Sequence, residues 1–152
     1  MKAVIQRVAN ASVQVDGAVV GECGRGYLIL LGVAEGDTEI DAELLCRKIA
    51  GLRIFRDEND KMNLSIKDID GEALVISQFT LLANYRHGNR PDFLGSAKPD
   101  EANRLYEYFK MLLQKEIRRV ESGIFGADMK VSLLNDGPVT ICMDSEILKK
   151  KK

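Results

Sequence analysis

The chain has 152 residues, of which 45% are apolar and 30% charged, a composition typical of one globular domain rather than a disordered or collagen-like chain. Its 22 basic and 23 acidic side chains leave a net charge of −1, which disfavours a protein that grips a long stretch of nucleic-acid backbone. A short contact with the end of a nucleic acid stays compatible with this charge.

Three cysteines, Cys23, Cys46 and Cys142, are odd in number and lie in or beside apolar runs, which indicates buried thiols in a reducing compartment. Polar side chains interrupt residues 1–7 too soon for a secretory signal, and no window of 18 apolar residues predicts a membrane span. We therefore expect a cytoplasmic protein with no membrane partner.

The first third of the chain is predicted to form several short strands followed by a helix. Tyr27 to Val33 is apolar throughout, which predicts a central strand covered on both faces. Apolar residues at helical spacing, after a cap at Asp37 or Thr38, predict an amphipathic helix that stops at Gly51. The earlier predicted strands are Lys2 to Val8, Ser12 to Val15 and, after the turn at 16–17, Ala18 to Gly21.

The rest of the chain predicts further strands and a second helix. Glu72 to Ala83 is the longest strand candidate, and the irregular stretch from Asn84 to Lys98 is long enough to be a functional loop. A single apolar stripe predicts a helix from Pro99 to Gly123. The shorter predicted strands are Arg53 to Phe55, Met62 to Ile66, Val131 to Leu134 and Val139 to Met143.

These elements predict an α/β protein of the α+β type. We expect an antiparallel or mixed, curved, barrel-like sheet with two main amphipathic helices packed on it. One domain is predicted over residues 1–148, followed by a basic tail over 149–152 that is a solvated end or, alternatively, an RNA contact.

The usual signatures of catalysis and cofactor binding are missing from the sequence. The single histidine, His87, lies in a glycine-rich irregular segment, so a Ser/His/Asp triad is disfavoured. No cysteine or histidine spacing matches a metal site, and no glycine-rich phosphate loop is found. We expect neither a metal nor a cofactor.

Two polar segments interrupt runs that otherwise predict strands. The first is Ser77-Gln78-Phe79-Thr80, whose residues have an ordinary interpretation as strand and core. The second is Asn135 to Thr140, where Gly137 and Pro138 favour a hairpin turn on base rates. Glycine also permits the closest approach of main-chain atoms to another molecule, so the second segment has a possible functional interpretation too.

Together the two segments resemble the signature motifs of the D-aminoacyl-tRNA deacylases, also called D-tyrosyl-tRNA deacylases. The matching motifs are Ser77 to Ala83 and Asn135 to Thr140. The resemblance extends over nearly the whole chain and includes Met1 to Val8, Gly88 to Phe93 and Leu105-Tyr106. The basic tail goes beyond what the family needs.

The resemblance implies hydrolysis of the ester that joins a D-amino acid to the 3′ acceptor end of tRNA. It implies a catalytic segment of Ser77, Gln78, Phe79 and Thr80. It also implies that the Gly137-Pro138 peptide is cis, that main-chain atoms of this pair exclude the L-enantiomer, and that Arg7 helps to fix their loop. Asn135 belongs to the same substrate-selecting set. Family members are homodimers in which this loop enters the partner's pocket.

Physical reasoning leaves several alternatives open. Glycine has no side chain that a wall of backbone atoms could reject, so glycyl-tRNA is an expected substrate. Thr80 is either a nucleophile or a provider of its backbone amide to an attacking water. Arg86, Arg90 and Lys98 are candidate phosphate contacts. Two other classes compete: a non-catalytic β-rich module for RNA ends, and an interaction domain whose Gly-Pro is only a turn.

Overall fold

The computed structural model describes residues 1–149, and the predicted fold class is confirmed: a mixed α+β fold with a curved sheet and two main helices. The strands are β1 (Lys2–Val15), β2 (Ala18–Cys23), β3 (Gly26–Gly32), β4 (Phe55–Arg56), β5 (Met62–Leu64), β6 (Glu72–Ser77), β7 (Arg119–Ser122) and β8 (Lys130–Asp144). The helices are α1 (Glu39–Gly51), α2 (Pro99–Glu116) and α3 (Ser145–Lys149).

Strand β1 is one long strand where the sequence predicted two short ones. Along one edge it pairs antiparallel with β2 and then with β3, and along its other edge it pairs antiparallel with β8. Because β8 pairs with β1 on both sides of this point and at Asn10 itself, the polar residues of β1 near Asn10 do not break the strand. The turn at 16–17 joins β1 to β2 as predicted, with Asp16 and Gly17 at positive φ.

The buried strand β3 lies in the middle of the sheet, as its apolar run predicted. It pairs antiparallel with β1 and parallel with β6, and β6 pairs parallel with β7. Two glycines permit close strand approach. A Cβ on Gly26 would lie 1.8 Å from the Glu72 carbonyl oxygen, and one on Gly21 would lie 2.5 Å from that of Ser122. The second contact brings β2 against β7 and nearly closes the sheet into a barrel.

The two main helices pack against each other and bury their apolar faces on the sheet. Helix α1 begins after Thr38, whose N–H donates to the Asp41 carboxylate at 2.9 Å. Helix α2 ends at Glu116, so the prediction that it continues to Gly123 was wrong. The chain turns extended at Ile117 and forms β7 on the open edge of β6, because ladder hydrogen bonds are available there.

One of the three cysteines that the sequence predicted to be buried is exposed. Cys23 and Cys46 are buried, whereas Cys142 is exposed because it lies on the outward face of β8, which pairs with β1 alone among residues 1–149. Lys149 ends α3 and donates to the carboxylates of Asp41 and Glu146, at 2.8 Å each. The rest of the predicted tail lies outside the described residues, and the domain limit at 148 stays a prediction. Within 1–149, no helix is long and apolar enough to cross a membrane.

Candidate active site

The segment from Ser77 to Thr80 marks the point where β6 stops. The sequence predicted a strand to Ala83, but Phe79–Leu82 form a 3₁₀ turn instead. The turn packs on Gly32, where a Cβ would lie 2.7 Å from a Leu82 methyl carbon and 2.9 Å from the Gln78 carbonyl oxygen. Glycine at position 32 therefore makes the room in which the chain leaves the sheet.

Helix α2 anchors the strand just before this turn. The Tyr106 hydroxyl donates to the carbonyl oxygen of Val75 at 3.0 Å, two residues before Ser77. Burial raises the pKa of Tyr106 to about 12, so the phenol stays protonated and keeps donating at neutral pH. The end of β6 is thus held from the helix side as well as by β3.

Backbone N–H groups are available at the start of the turn. The first amides of a helical turn have no partner within the turn. Here the turn's backbone bonds begin with the Leu81 N–H, which donates to the Gln78 carbonyl oxygen at 3.2 Å. Among residues 1–149, no hydrogen bond occupies the N–H groups of Phe79 and Thr80. These two amides can therefore donate to a bound oxygen.

The hydroxyl of Thr80 has an amide as its neighbour. The Gln78 side-chain amide donates to Thr80 Oγ1. An amide nitrogen that donates cannot also remove a proton, and Thr80 itself is exposed. The contact fixes the hydroxyl oxygen without activating it as a nucleophile.

A cavity of about 700 Å³ opens beside the turn. Ser77, Gln78 and Phe79 line it, whereas Thr80 lies outside its lining. The adjoining wall comes from the loop between the 3₁₀ turn and α2, where the Phe93 ring meets Phe79 edge to face with centroids 5.1 Å apart. Apolar side chains dominate the lining, and Lys98 and Asp128 carry its charges. Such a cavity suits an apolar or aromatic group with a few fixed polar contacts.

Sequence reasoning missed one wall of this cavity. Phe125 to Met129 line it, although this stretch has neither helical nor strand periodicity. The available signal was Gly123, which permits close approach: a Cβ there would lie 2.4 Å from the Met129 sulfur. A glycine in the sequence indicates a close contact, but it does not identify the segment that makes the contact.

The second polar segment is a bulge in β8 and not the hairpin turn that base rates favoured. Gln6 pairs with Thr140 and Val8 pairs with Asn135, so one residue of β1, Arg7, faces the four residues 136–139 of β8. The extra residues project from the ladder as a loop. The Gly137-Pro138 peptide is cis, and both residues are exposed.

Arg7 lies at the base of this loop and is 3% exposed. Its Nε donates to the Asp136 carbonyl oxygen at 2.9 Å, and Nη1 donates to the Ile54 carbonyl oxygen at 2.6 Å. Charge-assisted bonds of this kind are stronger than neutral ones. Arg7 therefore ties the loop to the segment that follows α1.

Asn135 closes the loop from within. Its Oδ1 accepts from the Val139 N–H at 2.9 Å, and its Nδ2 donates to Thr140 Oγ1 at 3.1 Å. With both polar atoms used in this way, the side chain braces the loop. A direct contact of Asn135 with substrate stays a prediction.

The structure brings some predicted site residues together and separates others. Ser77, Gln78 and Phe79 share the cavity wall, and Lys98 joins them. Gly137 and Pro138 do not line the cavity of their own chain. Arg86 and Arg90 are exposed on the long loop.

Comparison with known proteins identifies the class. The family model described as D-Tyr-tRNA(Tyr) deacylase matches residues 4–144. A protein of Sulfurihydrogenibium sp. (strain YO3AOP1) named D-aminoacyl-tRNA deacylase is 60% identical over 97% of this chain and 100% of its own. A protein of Ruegeria pomeroyi with the same name is 59% identical over 95% of this chain and 99% of its own.

Two solved structures are also similar. One, described as a c-Myc DNA unwinding element binding protein, has a TM-score of 0.90 and 43% identity, covering 95% of this chain and 98% of its own. Another, described as a probable eukaryotic D-amino acid tRNA deacylase, has a TM-score of 0.81 over 93% of this chain and 97% of its own. At 15% identity, this second likeness shows the fold alone.

The chain is thus a hydrolase of the class that acts on ester bonds. It belongs to the D-Tyr-tRNA(Tyr) deacylase family, because the family model and its relatives cover nearly the whole chain.

Proposed function

We propose that this protein hydrolyses the ester bond of D-aminoacyl-tRNA, releasing free tRNA and the D-amino acid. The observation that carries the proposal is the break of β6 at Ser77, which presents two backbone amides beside an apolar cavity of about 700 Å³. Membership of the family supplies the substrate class. A cytoplasmic location, where tRNA is charged and used, follows from this proposal.

The chemistry needs little from side chains. Water adds to the ester carbonyl carbon, the carbonyl oxygen gains negative charge, and the bond to the ribose oxygen then breaks. The free N–H groups of Phe79 and Thr80 are suited to stabilise that oxygen, and such donors are each worth about 3 kcal/mol in a dry site. The 2′-hydroxyl of the terminal ribose is the candidate that activates the water.

Selection against L-amino acids is assigned to backbone atoms of Gly137 and Pro138. Enantiomers carry the same groups, so only a rigid obstacle where one of them places its side chain separates them. Arg7 and Asn135 hold the loop from both sides, which supplies the rigidity. Glycine has no side chain to meet the obstacle, so glycyl-tRNA is proposed as a second substrate.

A homodimer completes the site in this proposal. Gly137 and Pro138 do not line their own cavity, although selection requires them beside the substrate. Apolar side chains near both elements are exposed, with Phe79 at 53%, Leu134 at 58% and Leu94 at 83%. Exposed apolar area of this kind marks an interaction surface. The loop of one protomer then enters the cavity of its partner.

The tRNA end needs only a small electrostatic grip. Lys98 lies at the cavity rim, and Arg86 and Arg90 lie on the loop that forms its wall. These three cations are proposed to meet phosphates close to the 3′ end.

Parallel assays of D-aminoacyl-, L-aminoacyl- and glycyl-tRNA test the proposal. We expect cleavage of the D and glycyl substrates and at least 100-fold slower cleavage of the L substrate, on the scale of a well-built rejection. Equal rates on D and L substrates would contradict the exclusion of L-amino acids. Activity that persists on dilution to monomer would contradict the shared site.

Substitution of Thr80 separates the two catalytic mechanisms. Removing a true nucleophile lowers kcat by several orders of magnitude. We expect Thr80→Ala to keep most of its turnover, because Gln78 donates to the hydroxyl and no base within residues 1–149 accepts its proton. Thr80→Ser, which keeps the hydroxyl, is the matched control. If Thr80→Ala binds substrate but loses turnover while Thr80→Ser does not, the nucleophile mechanism is correct.

A further inference from the structure

A second and much smaller notch lies beside the Gly137-Pro138 loop. It has a volume of about 60 Å³ and is lined by Arg7, Arg25, Phe55, Arg56 and Asp136. The space admits a single phosphate group or a pair of water molecules, but not a nucleobase. Arg7 and Asp136 hold the selecting loop, but the open space of the notch has no part in the catalytic chemistry or in the selection of enantiomers.

The notch has a strong excess of positive charge. Three arginines line it, against one acidic residue, Asp136. Arg7 Nε and Nη1 donate to backbone carbonyl oxygens, which are neutral, so these bonds do not compensate its positive charge. Cationic side chains that share one small notch repel one another, and an anion bound there offsets that repulsion.

The other two arginines, Arg25 and Arg56, are exposed, and a strong ion pair holds neither of them among residues 1–149. The Arg25 guanidinium carbon lies 5.6 Å from the centroid of the Phe55 ring, and within the described chain no carboxylate pairs with it. Arg56 pairs with Asp60 at 3.4 Å, with both side chains more than half exposed, so this ion pair is weak. The Phe55 ring therefore orients the Arg25 cation at the notch.

Arginine forks match phosphate oxygens in two-pronged hydrogen bonds, which makes phosphate the anion that this lining favours. RNA has one phosphate per nucleotide, so the nucleotides next to the aminoacylated end of a tRNA carry phosphates close to it. A carboxylate from a protein would also satisfy the charge, but the tRNA is already the ligand of the proposed reaction.

We propose that this notch binds a backbone phosphate of the tRNA whose 3′ end occupies the partner's cavity. The inference rests on the proposed function, because the notch reaches that tRNA only if its loop enters the partner's cavity. Asp136 belongs both to the notch and to the loop, and Arg7 of the notch donates to its carbonyl oxygen, so the two are directly connected. Each tRNA would then contact Lys98 of one protomer and the arginine notch of the other.

The test compares two substrates that carry the same ester. D-aminoacyl-tRNA has the backbone phosphates, whereas D-aminoacyl-adenosine has none. The test variant is Arg25→Ala combined with Arg56→Ala. The matched control is Arg47→Ala, an exposed arginine on α1 that lines neither the notch nor the large cavity.

We expect the double variant to raise KM for D-aminoacyl-tRNA at least about fivefold and to reduce the slope of log KM against log salt by about 1. The ratio of kcat/KM for tRNA to kcat/KM for D-aminoacyl-adenosine should fall by the same factor. Arg47→Ala should keep the wild-type ratio and salt slope.

Other results overturn the inference. An equal loss on both substrates would mean that the arginines only support the loop. No change on either substrate would mean that the notch takes free phosphate at most. Dissociation of the double variant into monomers, seen by sedimentation, would assign the arginines to a carboxylate of the partner subunit.

Binding of uncharged tRNA keeps this test separate from the proposed function. If the wild-type protein cleaves neither substrate, the proposed function fails. The notch is then judged by tRNA affinity alone: weaker binding by the double variant than by Arg47→Ala supports it, and equal binding refutes it.

Discussion

Gly137→Ala is the substitution that most directly tests the role of the loop. Gly137 has φ +136°, a region that residues with a side chain rarely adopt. A Cβ there would lie 2.8 Å from Arg7 Nη2 and 3.1 Å from the Val139 backbone nitrogen. Neither neighbour yields easily, because Arg7 is held by two carbonyl oxygens and the nitrogen of Val139 by Asn135.

The magnitude follows from these two penalties. A residue with a side chain in such a backbone region costs about 1–3 kcal/mol. Displacing a packed neighbour costs a similar amount, but the exposed loop can relax, so we expect a net penalty of about 2–3 kcal/mol on the native loop. A penalty of that size lowers the ratio of native to alternative loop conformations by about 30- to 150-fold.

Steady-state cleavage of D- and L-aminoacyl-tRNA measures the result. We expect kcat/KM for the D substrate to fall in proportion to the native loop population, and the D over L preference to shrink. The matched control is Gly17→Ala, at φ +79° in the turn after β1, where no atom lies within 4 Å of a Cβ. The control should lose about 1 kcal/mol of stability from its backbone strain and keep both kinetic values.

A Gly137→Ala protein with wild-type kcat/KM and wild-type preference would refute the reasoning. Such a result would show that the loop either tolerates a side chain or has no part in selection. If Gly17→Ala also lost preference, the effect would be one of general stability.

Two further predictions concern stability. Tyr27→Phe should raise the free energy of unfolding in urea by about 1 kcal/mol, because the buried Tyr27 hydroxyl has no hydrogen-bond partner in residues 1–149; a loss of stability would contradict this. Burial of Asp41 opposes its ionisation, but hydrogen bonds from Lys149, Ser145 and Thr38 outweigh burial and hold its pKa at about 2. This lowered pKa adds stability above pH 4 that is lost as the pH falls towards 2, about 2 kcal/mol in all. Asp41→Asn should remove that acid-dependent part in urea melts at successive pH values, and an unchanged acid profile would refute the assignment.

Local sequence patterns predicted the elements whose stability comes from one apolar face. The apolar run of β3 identified the central strand, and helical periodicity located α1 and the start of α2. These predictions succeeded because burial repeats at the spacing of the element itself. The two polar segments were also visible, since polar residues are costly within a strand that should be core.

The sequence could not predict where β6 and α2 stop. The strand leaves the sheet because Gly32, about 45 residues earlier in the chain, has no side chain to block the 3₁₀ turn. The helix stops because the edge of β6 offers backbone partners to Arg119–Ser122. Local propensity contains neither fact, since both are contacts between distant segments.

The sequence by itself determined the fold class, the helix faces and the two segments proposed to form the site, because apolar periodicity and misplaced polar residues are local signals. Tertiary structure alone decided the conformation and the neighbours of those segments. It left the backbone amides of Phe79 and Thr80 without a hydrogen-bond partner among residues 1–149, beside a cavity. It also placed Arg7 under a four-residue bulge whose Asp136 lies 129 residues further along the chain. Every residue has the same backbone groups, and cross-strand register depends on contacts between distant segments, so neither can be read from the order of amino acids.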